Sequence, residues 1–246
     1  MENIRVNILG IPVDSFTMRE TLNIVNENIR NRKPTHHVVV NAAKLVNAQK
    51  DQQLLDSIVH CDIINPDGQS VVWASRLLNR SLPERVAGID LMVNLVEMAA
   101  QNGYRIFLLG AADDVLAKLV KKYKEEYGES LIAGYRNGYF RPEEEEAVAR
   151  EIAVSNADLL FVAITSPKKE IFLNRYKDLI KVPFVMGVGG SFDVLAGKTK
   201  RAPLWMQKSG MEWFYRVIQE PGRLWKRYLF TNSRFIYLVL KEKLSH

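Results

Sequence analysis

Residues 105–135 read RIFLLGAADDVLAKLVKKYKEEYGESLIAGY. An apolar run (105–109) ends in Gly110, a segment of helical period follows (113–127), and a second apolar run begins at Leu131. A strand, a helix and a strand in succession form the unit that lays two strands parallel with the helix across one face. The pattern continues outward in both directions. Toward the amino terminus, apolar runs at 63–64, 37–40 and 4–9 alternate with helical periods at 89–101, 69–78, 43–49 and 17–31. Toward the carboxyl terminus, strands are expected at 159–164 and 183–188, and helices at 142–154 and 168–176. The expectation is an α/β fold: a Rossmann-like, mostly parallel sheet with helices on both faces. Ligands of such sheets bind beyond the carboxyl ends of the strands. Asn41, the Pro66-Asp67-Gly68 turn and Gly110 fall at such ends.

The pattern changes near residue 197. Residues 198–246 hold 11 Lys and Arg against 3 Asp and Glu, although the whole chain carries only +6. Residues 1–197 are therefore slightly acidic, and the positive charge belongs to the tail. The tail also holds Trp205, Trp213 and Trp225. We expect an α/β core over 1–196 and a basic helical C-terminal appendage over 197–246. A helix over 205–219 should end at Pro221, and another should run from about 222 through 228. Arg223, Arg227 and Arg234 share one face of the latter, with Leu224, Trp225, Tyr228 and Leu229 toward the other side. That pattern fits an interfacial amphipathic helix on an anionic membrane surface, and equally a basic face on a helix packed against the body. At 47% hydrophobic and 25% charged, the chain can bury an ordinary core. The single cysteine, Cys61, excludes an intrachain disulfide and fits a reducing compartment. No segment reads as a signal peptide or a membrane span. The expected location is cytoplasmic, peripherally associated with the inner face of the plasma membrane.

Asp67, between a residue that fixes one backbone angle and one that frees both, can be held rigidly as a general base toward a sugar hydroxyl. It can equally be a turn former or helix cap. Gly110 opens a strand-to-helix turn whose N–H groups could take a phosphate, or is simply a tight turn. The loop Gly187-Val188-Gly189-Gly190 permits close approach of a ligand to the backbone at Gly189. Ser166-Pro167-Lys168-Lys169-Glu170 places cations and a carboxylate at a strand end. Lys169 could meet phosphate and Glu170 a sugar hydroxyl, or the segment is only a capped helix start.

Certain motifs are absent. There is no Asp-x-Asp triplet, no G-x-G-x-x-G loop near the amino terminus and no G-x-S-x-G. The histidines lack metal-ligand spacing with Cys61, so no metal and no cofactor are expected. A nicotinamide-dependent oxidoreductase is thereby disfavoured. A nucleic-acid-binding module would explain the tail but not the strand-end turns or the acidic body, so nucleic acid is not an expected partner. A homo-oligomer is neither required nor excluded. If a diphosphate leaves here, arginines must meet its charge; Arg85 and the tail arginines are the supply.

Four segments taken together resemble one family: 62–68 (DIINPDG), 84–90 (ERVAGID), 165–170 (TSPKKE) and above all 187–228 (GVGGSFDVLAGKTKRAPLWMQKSGMEWFYRVIQEPGRLWKRY). They are similar to the WecG/TagA/CpsF glycosyltransferases, glycosyltransferase family 26. The resemblance implies an inverting, metal-independent enzyme that moves a sugar, typically N-acetylmannosamine, from a UDP-sugar donor. Its acceptor would be a polyprenyl-diphosphate-linked N-acetylglucosamine, and its products would feed teichoic acid or other bacterial surface polysaccharides. It makes Asp67 the general base, puts Asn41 and Arg85 in the same pocket, and gives Arg216, Arg223 and, less directly, Arg227 functional roles. Three departures stand out: Val39 replaces a common Thr, Ala43 a common Glu, and Lys169 a common Gln. They leave the base intact and bear on the donor sugar.

Overall fold

A computed structural model describes residues 4–245; the side chains of Lys208 and Arg223 lie outside the described residues. In chain order the elements are β1 (Arg5–Ile8), β2 (Ile11–Asp14), α1 (Met18–Arg30), β3 (Thr35–Val40), α2 (Ala42–Ala48), α3 (Gln52–Val59), β4 (Ile63–Pro66), α4 (Gln69–Leu77), α5 (Gly88–Asn102), β5 (Ile106–Gly110), α6 (Asp113–Tyr127), β6 (Ile132–Arg136), α7 (Glu145–Val154), β7 (Leu159–Ala163), α8 (Lys168–Ile180), β8 (Phe184–Gly187), α9 (Ser191–Leu195), α10 (Leu204–Lys208), α11 (Glu212–Gln219) and α12 (Pro221–Leu244). Six strands form one sheet in the order β4-β3-β8-β7-β5-β6. Every pairing in it is parallel.

The central strands β5, β7 and β8 are apolar throughout because both of their faces are covered. Ile106 and Leu108 of β5 point into one cluster with α1, α5, α6 and α9. Phe107 and Leu109 point into another, against α7 and α8. Val38 and Val40 of β3 meet a third, formed with α2, α3, α4 and the β1–β2 hairpin. Gly110 shows how tightly β5 and β7 approach. Its φ is +130°, and a Cβ there would stand 2.5 Å from the backbone of Ala163. The next N–H, of Ala111, is taken by the Ala163 carbonyl at 3.1 Å. Crowding between strands thus accounts for the glycine.

The amino-terminal run does not join the sheet. It pairs antiparallel with β2 through a turn at Leu9-Gly10, both at positive φ. This is a two-residue hairpin turn without the usual Asn-Gly or Asp-Gly signal, which hid the second strand. The hairpin covers the outer edge of β4. Asp14 accepts the Ile64 N–H at 2.6 Å, and Arg5 bonds both Asp14 and the carbonyl of Asp62. Edge groups that would template another chain are satisfied internally.

The tail also differs in detail from the sequence reading. The expected helix over 205–219 is broken at Gly210, whose φ of +70° suits no other residue well. Pro221 opens the next helix rather than only closing the previous one, and that helix runs to Leu244. Phe235 and Val239 of α12 are buried in the same cluster as Ile8, Leu9 and Val46. Glu242 accepts the Leu9 N–H at 2.9 Å and pairs with Arg80. Of the presumed apolar side, Leu224 is buried, but Trp225 and Leu229 are 48% and 62% exposed.

Candidate active site

The turn after β4 is fastened on three sides. The Asp67 N–H donates to the Val40 carbonyl at 2.9 Å, which ties the turn to the neighbouring strand β3. The Val86 N–H donates to the Pro66 carbonyl at 2.8 Å. Arg85 Nε donates to the Asp67 carbonyl at 2.6 Å. The Gly88 N–H, at the start of α5, donates to Asp67 Oδ1 at 2.9 Å. The segment 84–90 is therefore a strap that holds the turn and aims its carboxylate. Among the described residues none hydrogen-bonds to Asp67 Oδ2. The side chain is half-buried, so this oxygen is a fixed acceptor at the carboxyl edge of the sheet.

A polar layer lies beneath. Asn65 Oδ1 is 2.9 Å from His37 Nε2, and Asn65 Nδ2 donates to Thr21 Oγ1 at 3.3 Å. Thr21 Oγ1 in turn donates to the Thr17 carbonyl. Because Asn65 offers its oxygen, His37 carries its proton on Nε2. Burial pushes the His37 pKa down to about 4, so the ring is neutral.

Asn41 stands beside the turn, 3.5 Å from where a Gly68 Cβ would be. It caps α2 by accepting the Lys44 N–H at 3.0 Å. On the α2–α8 side of the sheet, three charges are buried together. Lys44 Nζ is 2.8 Å and Lys169 Nζ 3.3 Å from Glu170 Oε1. All three residues are under 10% exposed. Burial alone would raise the Glu170 pKa, but Lys44 and then Lys169 outweigh it and hold the carboxyl near 2. Burial first, and then repulsion from Lys44, lowers Lys169 to about 8. The stem of Lys169 lies against Gly187, where a Cβ would meet its Cε at 2.9 Å. Lys168 points elsewhere, donating to the Phe140 carbonyl at 3.1 Å.

The structure brings Asp67, Asn41 and Arg85 together at one sheet edge. Gly189 lies in the turn two residues beyond β8, with φ at +57° and open space where a side chain would lie. Gly110 belongs to the β5–β7 contact described above. Arg216 and Arg227 are exposed, and the Arg223 side chain lies outside the described residues. The sequence reading passed over Lys44, Gly88, Asp90, Arg201 and Glu212. Two of these carried a signal: Lys44 is a lone cation in the otherwise uncharged helix AAKLVNA, and Glu212 is one of three acidic residues in a basic tail. Among the described residues no group of three or more His, Cys, Asp or Glu is placed so that it could hold a metal ion.

The model of the glycosyl transferase WecG/TagA/CpsF family matches residues 6–246. An N-acetylglucosaminyldiphosphoundecaprenol N-acetyl-beta-D-mannosaminyltransferase of Bacillus subtilis strain 168 is 42% identical over 196 residues, 80% of this chain and 75% of its own. The same-named protein of Bacillus spizizenii strain W23 is 39% identical over 182 residues, 74% of this chain and 69% of its own. This chain belongs to the WecG/TagA/CpsF family of glycosyl transferases.

Proposed function

We propose that the protein transfers N-acetylmannosamine from its UDP donor to a polyprenyl-diphosphate-linked N-acetylglucosamine, with inversion. Asp67 Oδ2 takes the proton of the acceptor hydroxyl as that oxygen bonds to the anomeric carbon. The bond from that carbon to the diphosphate oxygen breaks, and UDP leaves. The observation that carries this reading is a carboxylate clamped through one oxygen by Gly88 and free at the other. Such an arrangement suits a general base, whose reach must be fixed before its strength matters. Cations of the tail, Arg216, Arg223 and Arg227, meet the diphosphate charge in the role a metal ion plays elsewhere. The test is a donor screen: several UDP-sugars with a lipid-diphosphate N-acetylglucosamine acceptor, products identified by mass and chromatography. UDP-N-acetylmannosamine should give a disaccharide-lipid and UDP. A product only with another UDP-sugar would move the donor assignment and leave the base in place.

The location we propose is the cytoplasmic face of a membrane, with α12 as the contact. No described helix is long and apolar enough to cross a bilayer. Trp225, Leu229, Ile236, Leu240 and Leu244 recur at helical spacing on its exposed side, beside the exposed Lys226, Arg227 and Arg234. Apolar groups at the boundary with cations beside them fit an anionic bilayer surface. Co-sedimentation with anionic vesicles should be strong at low salt. It should weaken toward 1 M, where the Debye length falls to about 3 Å. Replacing Trp225, Leu229 and Ile236 together by Ala should abolish it. Unchanged binding in both conditions would remove α12 from this role.

A further inference from the structure

Arg85, expected to touch substrate, uses all three of its nitrogens, and three of its five N–H donors, inside the protein. Nε reaches the Asp67 carbonyl at 2.6 Å, Nη1 the Gln207 carbonyl at 3.2 Å and Nη2 Glu212 Oε2 at 2.7 Å. The pair is largely buried, at 16% and 14% side-chain exposure. Glu212 does not stop there. Its other oxygen lies 3.5 Å from Arg201 Nε, a charge contact rather than a hydrogen bond. Arg201 in turn sets its two terminal nitrogens on the two oxygens of Asp90, at 2.5 and 2.8 Å. Asp90 lies in the first turn of α5, two residues beyond the Gly88 whose N–H holds Asp67 Oδ1.

These contacts close a ring. From the Asp67 carbonyl it passes through Arg85, Glu212, Arg201 and Asp90 to the start of α5, and returns through Gly88 to the Asp67 carboxylate. The two supports of the proposed base, its backbone turn and the α5 terminus, are thus bridged by two side chains from beyond residue 197, Glu212 and Arg201. The α10–α11 turn sits on the same region, since a Cβ at Gly210 would stand 2.8 Å from Gln69 Cβ.

We propose that Glu212 is a positioning residue for Asp67 and that Arg85 is its strut, not a ligand of the donor diphosphate. The inference rests on Asp67 as the base. A guanidinium suits the strut because it directs several N–H groups in fixed directions, which an ammonium cannot. Displacement of a catalytic group by as little as 1 Å can cost about a hundredfold, so weakening the ring should show in turnover.

The experiment measures kcat and the donor KM for the full chain and for Glu212→Gln, Arg85→Lys, their double variant and Asp67→Asn. Glu212→Gln and Arg85→Lys should each lower kcat by about 10- to 100-fold. The donor KM should stay within about twofold, because ground-state binding is untouched. The double variant should be no worse than the poorer single one, because both break the same bridge. Should Glu212→Gln fail to fold, Glu212→Asp replaces it; it keeps the charge, is one methylene short, and should move kcat in the same direction. Arg85→Lys with a donor KM raised about tenfold, beside a silent Glu212→Gln, would make Arg85 a substrate ligand and overturn the proposal. Losses that multiply in the double variant would also overturn it. Asp67→Asn separates the two ideas. If that variant keeps its turnover, the base assignment itself fails; if it is inactive while the ring variants are normal, only the ring fails.

Discussion

Asp67→Asn is expected to lower turnover by at least about a hundredfold, within the range of about 10²–10⁴ that general base catalysis supplies. The structure makes this substitution cleaner than Asp67→Ala. An asparagine can still accept the Gly88 N–H now bonded to Oδ1 at 2.9 Å, and the backbone bonds to Val40 and Arg85 do not involve the side chain. The turn should therefore persist and UDP affinity should change little, while the amide takes no proton. Alanine would remove the Gly88 bond as well and mix a positioning loss with the chemical one. Turnover would be followed by UDP release, with UDP affinity measured separately by calorimetry. Asparagine at near-normal turnover would end the case for Asp67 as the base.

Glu170→Gln should have the largest effect on stability. It leaves Lys44 and Lys169 buried side by side with no counter-charge, and breaking a buried ion pair in this way typically costs about 3–5 kcal/mol. For a chain of this size each kcal/mol shifts the melting temperature by about 2–4 °C. The pH dependence follows from the direction of each shift. Glu170 is held near 2 in the folded chain, below its ordinary 4.5. Its contribution is present in full above about 4.5 and is lost as pH falls toward 2. Lys169 is depressed to about 8 from 10.5, so the unfolded chain binds the extra proton between those values and stability should rise across them. Urea midpoints at pH 3, 7 and 9.5 would trace both limbs. A Glu170→Gln protein as stable as the parent at pH 7 would show that the triad carries no such energy.

Lys169 stands where the resemblance to the family implies a common glutamine. A glutamine there would bring hydrogen bonds without charge. The lysine adds a second cation to Glu170 and packs its stem on Gly187, a position where any side chain would crowd it.

The parallel sheet was legible because strands buried on both faces are written as uninterrupted apolar runs, as in RIFLLG and LLFVA. The Asp67 turn was legible because proline and glycine flank it. The hairpin was not, since Leu9 at φ +52° occupies a position that sequence rules reserve for Asn, Asp or Gly. Its strain is offset by burial of its side chain and by the Glu242 bond to its N–H. Nor could periodicity reveal the partners of Arg85, because Glu212 lies 127 residues further along. Helical period likewise assigned Trp225 and Leu224 to one side, and only the docking of α12 on α2 separates them.

The bond between Leu9 and Glu242 joins residues 233 apart. During synthesis the hairpin can pack early on α2, α3 and α4, but its seam with α12 waits until residues 221–244 have cleared the ribosome. Closing so long a loop is slow, and a nascent chain that waits with the places of Phe235 and Val239 in the hairpin's cluster unfilled is exposed to aggregation in the meantime.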